Sequence, residues 1–349
     1  MKTKIKFGFS LPLFANPGML FFRTPNYTRL GWDDLLETTL RCEQLGYDSV
    51  FVADHLFLGH KGEIWECIAT MSALAAKTTT MEIIPIHLCN NFRNPAITAK
   101  TLTTLNHISK GRLTLFYDYG WREAEFKSYG VDFCHSDEDR INQMSEGLEI
   151  IKGMFQNEHF SYQGKYYQVD DAINTPAPLG NIDIWMGETN HPKMVESIVK
   201  HADYFNSMPC SIDEFRQKKK ILEEECFQQG RDFSKIKYSF ETQVLIRETA
   251  EEIDELFEEL SSQEKFNDSF DADIIKQLKE VNPEMSGYKT KEDYQDQFII
   301  GTPEVVKAKI DEYINQGVEH FMLWFMDYPN RKGIEIFADK VMNQFNGKE

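Results

Sequence analysis

The chain has 349 residues, 41% of them hydrophobic, and a formal net charge of −18. That is enough length and apolar content for two average domains or one large α/β barrel. So large an excess of negative charge repels phosphate backbones and sets nucleic acid aside as a partner.

The six cysteines are scattered, with no C-x-x-C pair, so neither a zinc ribbon nor a dithiol motif is indicated. With no cationic-then-apolar leader, they read as reduced thiols of a cytoplasmic protein. No apolar run approaches the roughly 18 residues that a membrane span needs.

Taken in order, Lys4 to Leu11 reads as a first strand. Leu13 to Trp32 is a long loop whose Phe residues are costly to leave in water, so it is expected to fold over something. Trp32 to Leu45 is an amphipathic helix stopped by Gly46. Asp48 to Ala53 is a second strand with Asp54-His55 at its end, and Glu63 to Ala76 a second helix. Met81 to Leu88 is a third strand. Pro95 then opens a helix running to about His107.

Leu113 to Tyr117 is a fourth strand that stops at Asp118-Tyr119-Gly120-Trp121, followed by a charged, helix-prone stretch from Arg122 to Lys127. Ser136 to Phe155 is a long helix whose acidic start suits the helix dipole. Phe160 to Val169 reads as a small hairpin. Ile182 to Met186, Asp203 to Ser207, Tyr238 to Ile246 and Glu319 to Met326 are four further strands. Helices are expected at Pro192–His201, Ile212–Gln229, from Pro303 to Gly317, and from Gly333 to Phe345. Eight strands that nearly all alternate with helices predict a closed parallel α/β barrel. No G-x-G-x-x-G follows the first strand, which argues against an open doubly wound sheet.

In such a barrel the chemistry lies at the C-terminal strand ends. The residues there include Ser10, Asp54-His55, His87 to Asn91, Asp118 to Trp121, Gly187 to Asn190, Asn206-Ser207 and Asp327. The mixture suits an organic ligand better than a metal, and no H-E-x-x-H spacing occurs. His55 is the sharpest candidate, either a proton carrier or a packed histidine beside a capping Asp54. Gly187-Glu188-Thr189-Asn190 precedes a helix, so its N–H groups and the Thr189 hydroxyl form either a phosphate cradle or an ordinary cap. Trp121 and Tyr119 are core residues or a stacking wall, and Trp185 and Trp324 read as core. Ser10, His87 and Asn90 are the expected polar lining of a substrate pocket.

The stretches FGFSLP, EQLGYDSVFVADHLF, RNPAITAKTLTTLNHISKGRLTL, GWREAEFKSYGV, IWMG and IIGTPEVV…YINQGVEHFML, in this order, resemble the bacterial luciferase-like flavin-dependent monooxygenases and their deazaflavin-using relatives. The resemblance implies a (β/α)8 TIM barrel over residues 1–349, with insertion loops at the C-terminal mouth and a lid at 261–298 that excludes water. It implies reduced FMN, supplied by a separate flavin reductase, O2 as co-reactant, a small organic substrate and a homodimer. Asp118, Tyr119, Gly120 and Trp121 would lie beside the isoalloxazine. His55 matches the histidine luciferases use near the flavin, and Gly187, Glu188 and Thr189 match the flavin phosphate loop. The chain departs from the family's G-x-G-A-G-W run, keeping only Gly120-Trp121, and has Tyr119 where luciferases have an Arg. An F420-dependent hydride-transfer oxidoreductase is the alternative implied by the same barrel. A non-catalytic flavin-binding subunit is a second.

Overall fold

The structure is a computed structural model that describes residues 4–15, 27, 31–134, 136–187, 191–263 and 290–345. The strands are β1 (Lys6–Ser10), β2 (Ser49–Ala53), β3 (Glu82–Ile86), β4 (Leu88–Cys89), β5 (Leu115–Asp118), the hairpin strands β6 (His159–Gln163) and β7 (Gln168–Ile173), β8 (Ile184–Gly187), β9 (Tyr204–Ser207), β10 (Lys237–Ile246), β11 (Ile299–Gly301) and β12 (Val318–Phe325). Nine of them pair in parallel in the order β3-β2-β1-β12-β10-β9-β8-β5-β4, a nearly closed barrel with β11 added beside β10. A single parallel bridge between Ile83 and Leu113 joins the two edges.

Every barrel strand expected from the alternation is present, with bounds that shift by up to two residues and one strand broken. The third strand is broken at His87: β3 pairs with β2, and β4 turns to pair with β5. The fourth starts at Leu115 rather than Leu113, because Leu113 makes only the closing bridge.

Helices α1 (Trp32–Leu45), α2 (Cys67–Lys77), α3 (Pro95–Ile108), α4 (Glu123–Tyr129), α5 (Asp137–Gln156), α6 (Pro192–His201), α7 (Ile212–Gln229) and α8 (Ala250–Ser262) follow, and their starts are written in local chemistry. Asn94 accepts the N–H groups of Ala96 and Ile97 ahead of α3, and Ser211 with Glu214 makes a capping box on α7. α2 begins four residues later than expected, because Glu66 caps it by accepting the N–H of Ala69 at 2.7 Å. The last helix carries a π-helical stretch at Phe337–Met342.

Parallel register stacks the barrel interior in layers. Phe116, Trp185 and Tyr204 are in register on β5, β8 and β9. Trp185 lies 4.7 Å from Tyr204 ring to ring, and the His320 ring meets it edge-on at 5.0 Å. Trp185 and Trp324 are both core, as expected. Each such burial contributes about 1.5–3 kcal/mol.

A second cluster packs outside the barrel from Leu245, Ile253, Phe257, Leu260, Tyr294, Phe298, Ile300 and Met326. It contains the far end of the expected lid, where the helix Lys291–Gln295 and Phe298 are docked. Residues 264–289 of that segment, and 16–26 and 28–30 of the loop after β1, lie outside the described residues.

Candidate active site

β2 is buried along its whole length and delivers Asp54-His55 to the barrel mouth. Neighbours in an extended chain point to opposite sides. Asp54 turns to structure: it accepts the Cys89 N–H at 2.8 Å and two bonds from Arg93 at 2.7 and 2.8 Å. Arg93 also holds Glu66, the cap of α2. The Asp54 side chain is therefore taken up by an ion pair and one backbone N–H, and it caps no helix among the described residues.

The His55 imidazole turns instead toward α4. Its Nδ1 lies 3.1 and 3.0 Å from the two oxygens of Glu125. Glu125 is 1% exposed and also accepts the N–H groups of Leu56 and Phe57 at 3.1 and 3.3 Å. Burial pushes the Glu125 carboxyl up, but the His55 charge and hydrogen bond, the Arg122 charge and the Phe57 N–H together outweigh it. The net result is a carboxyl below its usual range. Arg122 Nη1 is 3.6 Å from Glu125 and donates to the Phe57 carbonyl at 2.5 Å. It is buried against the Phe57 ring, its guanidinium 4.7 Å from the ring centre.

The floor is the end of β5. Asp118 Oδ1 accepts the Tyr119 N–H at 2.7 Å, and Oδ2 is 3.6 Å from His87 Nδ1, too far for a hydrogen bond. Burial raises the Asp118 carboxyl to about 6, against the Tyr119 N–H and the charges of His55 and Arg140. Gly120 has φ +75°, and a Cβ there would lie 2.6 Å from Cys89 Sγ, so the chain turns here only as glycine. Arg140 of α5 holds the turn by donating to the Gly120 carbonyl at 3.2 Å, with its guanidinium 5.7 Å from the Tyr119 ring centre. Trp121 stands edge-on to His55, ring centres 5.7 Å apart.

His55, His87, Asp118, Gly120, Trp121 and Glu125 thus line one cleft at the C-terminal mouth. Gly187 adjoins it: a Cβ at 187 would stand 3.3 Å from Phe116 and 3.4 Å from His87 Nε2. Glu188 and Thr189 lie outside the described residues.

Two expected pocket residues do not line this cleft. Ser10 is 2% exposed inside the barrel, its hydroxyl without a hydrogen-bond partner among the described residues. Asn90 is committed to packing: its Oδ1 accepts from Tyr117 at 2.8 Å and its amide donates to Tyr167 at 2.9 Å. Gly147 of α5 leaves the room it needs. Among the described residues no group of three or more His, Cys, Asp and Glu is placed to hold a metal.

Glu125 and Arg93 were not singled out in the sequence. Arg122, Glu125, Phe126 and Tyr129 follow one another at helical spacing, and that face is the signal that sets Glu125 apart from Glu123.

A parallel barrel with a polar and aromatic cleft at its C-terminal mouth defines an enzyme-type α/β barrel. The profile of luciferase-like monooxygenases matches residues 19–320, and the chain belongs to that family. It is 23% identical over 351 residues to the FMNH(2)-dependent dimethylsulfone monooxygenase of Pseudomonas fluorescens (strain Pf0-1), covering 97% of this chain and 93% of that one. Among solved structures, EDTA monooxygenase from Chelativorans sp. BNC1 superposes with a TM-score of 0.76 at 16% identity, covering 98% and 94% of the two chains. An F420-dependent secondary alcohol dehydrogenase superposes with a TM-score of 0.75 at 18% identity, covering 97% and 98%. These structural likenesses establish the shared barrel.

Proposed function

We propose that this oxidoreductase uses reduced FMN and O2 to oxygenate a small organic substrate at the cleft around His55. The observation that carries the proposal is the aromatic and titratable lining of the cleft around His55, with Gly187 beside it. A Cβ at 187 would stand 3.3 Å from Phe116 and 3.4 Å from His87 Nε2, so a larger residue there would press on the His87 ring that borders the cleft. The chemistry of the lining fits reduced FMN, with an imidazole, a carboxyl and an indole around one cleft. The near-full-length likeness to a relative named for FMNH2 supports the choice of cofactor.

Reduced flavin, when bound, supplies the electrons that activate O2. The chain's own part is orientation, dryness and proton management. Trp121 walls the cleft beside His55, and Gly120 keeps the floor flat. His55 holds or moves a proton, and Asp118 is a second titrating group in the cleft. Glu188 and Thr189 are proposed for the phosphate end. A flavin reductase as electron source, a homodimer, a single domain with a lid over 261–298, and a cytoplasmic location belong to the same proposal. Among the described residues no helix is long and apolar enough to cross a membrane.

F420-dependent hydride transfer is the second reading, favoured by the barrel shared with the F420-dependent alcohol dehydrogenase. Anaerobic titration with reduced FMN and with F420, followed by mixing with O2, separates the two. Tight binding of reduced FMN and O2 uptake that depends on substrate are expected. Binding of F420 alone, with no reaction with O2, would sink the lead proposal.

A further inference from the structure

We infer that Glu125 is a positioning residue that fixes the proton of neutral His55 on Nδ1, so that Nε2 meets the cleft as a proton acceptor. The turnover part of this inference rests on the role given to His55 above; the tautomer part does not.

Both oxygens of Glu125 lie within 3.1 Å of His55 Nδ1. An ionised carboxylate only accepts hydrogen bonds, so the proton in this contact belongs to the imidazole. Glu125 is held ionised by its surroundings, since the Leu56 and Phe57 N–H groups and the Arg122 cation all converge on the same carboxyl. A neutral imidazole has one N–H. With that N–H on Nδ1, the lone pair is on Nε2, on the far side of the ring.

The other charged and titratable groups around His55 do not compete for Nδ1. Asp54 on its own strand end is taken by Arg93 and the Cys89 N–H. Asp118 and His87 border the same cleft, 3.6 Å from each other. Trp121, edge-on to the ring, limits its rotation. When Nε2 takes a proton, the imidazolium forms directly against the Glu125 carboxylate. The arrangement therefore makes His55 a base first and an acid second. The logic is that of any carboxylate–imidazole pair in which the acid sets the tautomer and keeps its own charge.

Nitrogen-15 NMR of the full chain labelled at histidine reads the tautomer directly. The neutral form of His55 is expected to show a protonated Nδ1 and a bare Nε2. A wild-type His55 with its proton on Nε2 overturns the inference. Because Glu125 also binds two backbone N–H groups, E125A is accompanied by E125Q, which preserves volume and one acceptor oxygen. In folded E125A, which keeps no acceptor, the preference for Nδ1–H is expected to disappear and turnover with reduced FMN, O2 and substrate to fall by about 100-fold, whereas folded E125Q, whose amide oxygen can still accept from Nδ1, is expected to keep the preference. Retention of the wild-type tautomer, or wild-type turnover, in folded E125A overturns it. If the wild-type chain shows no turnover with reduced FMN, the FMN reading falls, and the tautomer signals alone decide the role of Glu125.

Discussion

Arg93 grips Asp54 with two guanidinium nitrogens, at 2.7 and 2.8 Å, directly behind His55. The Asp54 side chain is 1% exposed and that of Arg93 18%. The pair ties the end of β2 to the loop after β4 and to the cap of α2, and so sets where the imidazole starts. Removing one member of a buried pair strands the other charge, at a cost of about 3–5 kcal/mol. R93M is therefore expected to lose about that much stability in urea unfolding, and D54N/R93M to recover part of it. A loss no larger than that of a surface substitution would show the pair to be incidental.

Tyr117 and Asn90 make a similar prediction on the other side of the floor. The Tyr117 hydroxyl is buried and donates to Asn90 Oδ1 at 2.8 Å. Y117F leaves that oxygen without this donor, at a cost of about 1–3 kcal/mol. Urea unfolding checks it, and reduced-FMN binding is expected to change little because Asn90 does not line the cleft.

Gly120 turns the chain at φ +75°, and an added Cβ would crowd Cys89 Sγ at 2.6 Å and Phe126 at 2.8 Å. G120A is expected to lose about 1–3 kcal/mol, from overpacking and the left-handed backbone together. The same crowding should disturb the floor, so flavin binding should weaken along with thermal stability. A variant as stable as wild type would show that the turn relaxes more easily than its packing implies.

Asp118 gives a pH signature. Its carboxyl is raised from 3.8 to about 6, chiefly by burial. Between those values the folded state holds a proton that the unfolded state has released. The Asp118 contribution therefore makes stability fall as pH rises from about 4 to about 6. D118N removes the buried charge while its amide oxygen can still accept the Tyr119 N–H. The variant is expected to match wild type near pH 4 and to exceed it by about 1–3 kcal/mol at pH 7. Unfolding curves at both pH values test this, and a constant difference between them would contradict it.

The alternation of strands and helices was legible because β-branched and aromatic runs alternate with capped amphipathic segments. Pro192 at the first turn and the run to His201 place α6 at the expected bounds. Ser211 and Gly230 do the same for α7. What the sequence could not show is pairing. The break at His87 arises because β3 and β4 take different neighbours, a choice made by barrel closure and not by local propensity. His55 stood out by residue type and position, but its partner did not. Glu125 lies in a short charged helix, where the spacing from Arg122 to Phe126 hints at its face and the packing against the end of β2 shows it to be buried. Asn90 misled for the opposite reason. A polar residue at a strand end suggests a pocket, but here two tyrosines on β5 and the hairpin side consume its hydrogen bonds.

The central claim is that reduced FMN binds at the cleft around His55, with Gly187 at its side. Anaerobic titration of wild type and G187V with reduced FMN tests it most directly, because the added side chain would stand against Phe116 and His87. The account predicts that G187V loses some thermal stability, because Phe116 and His87 must give way to the added side chain, and that the folded variant binds reduced FMN at least about tenfold more weakly, a loss of about 1.4 kcal/mol or more. Equal affinity in a folded G187V would place the flavin elsewhere and contradict the account.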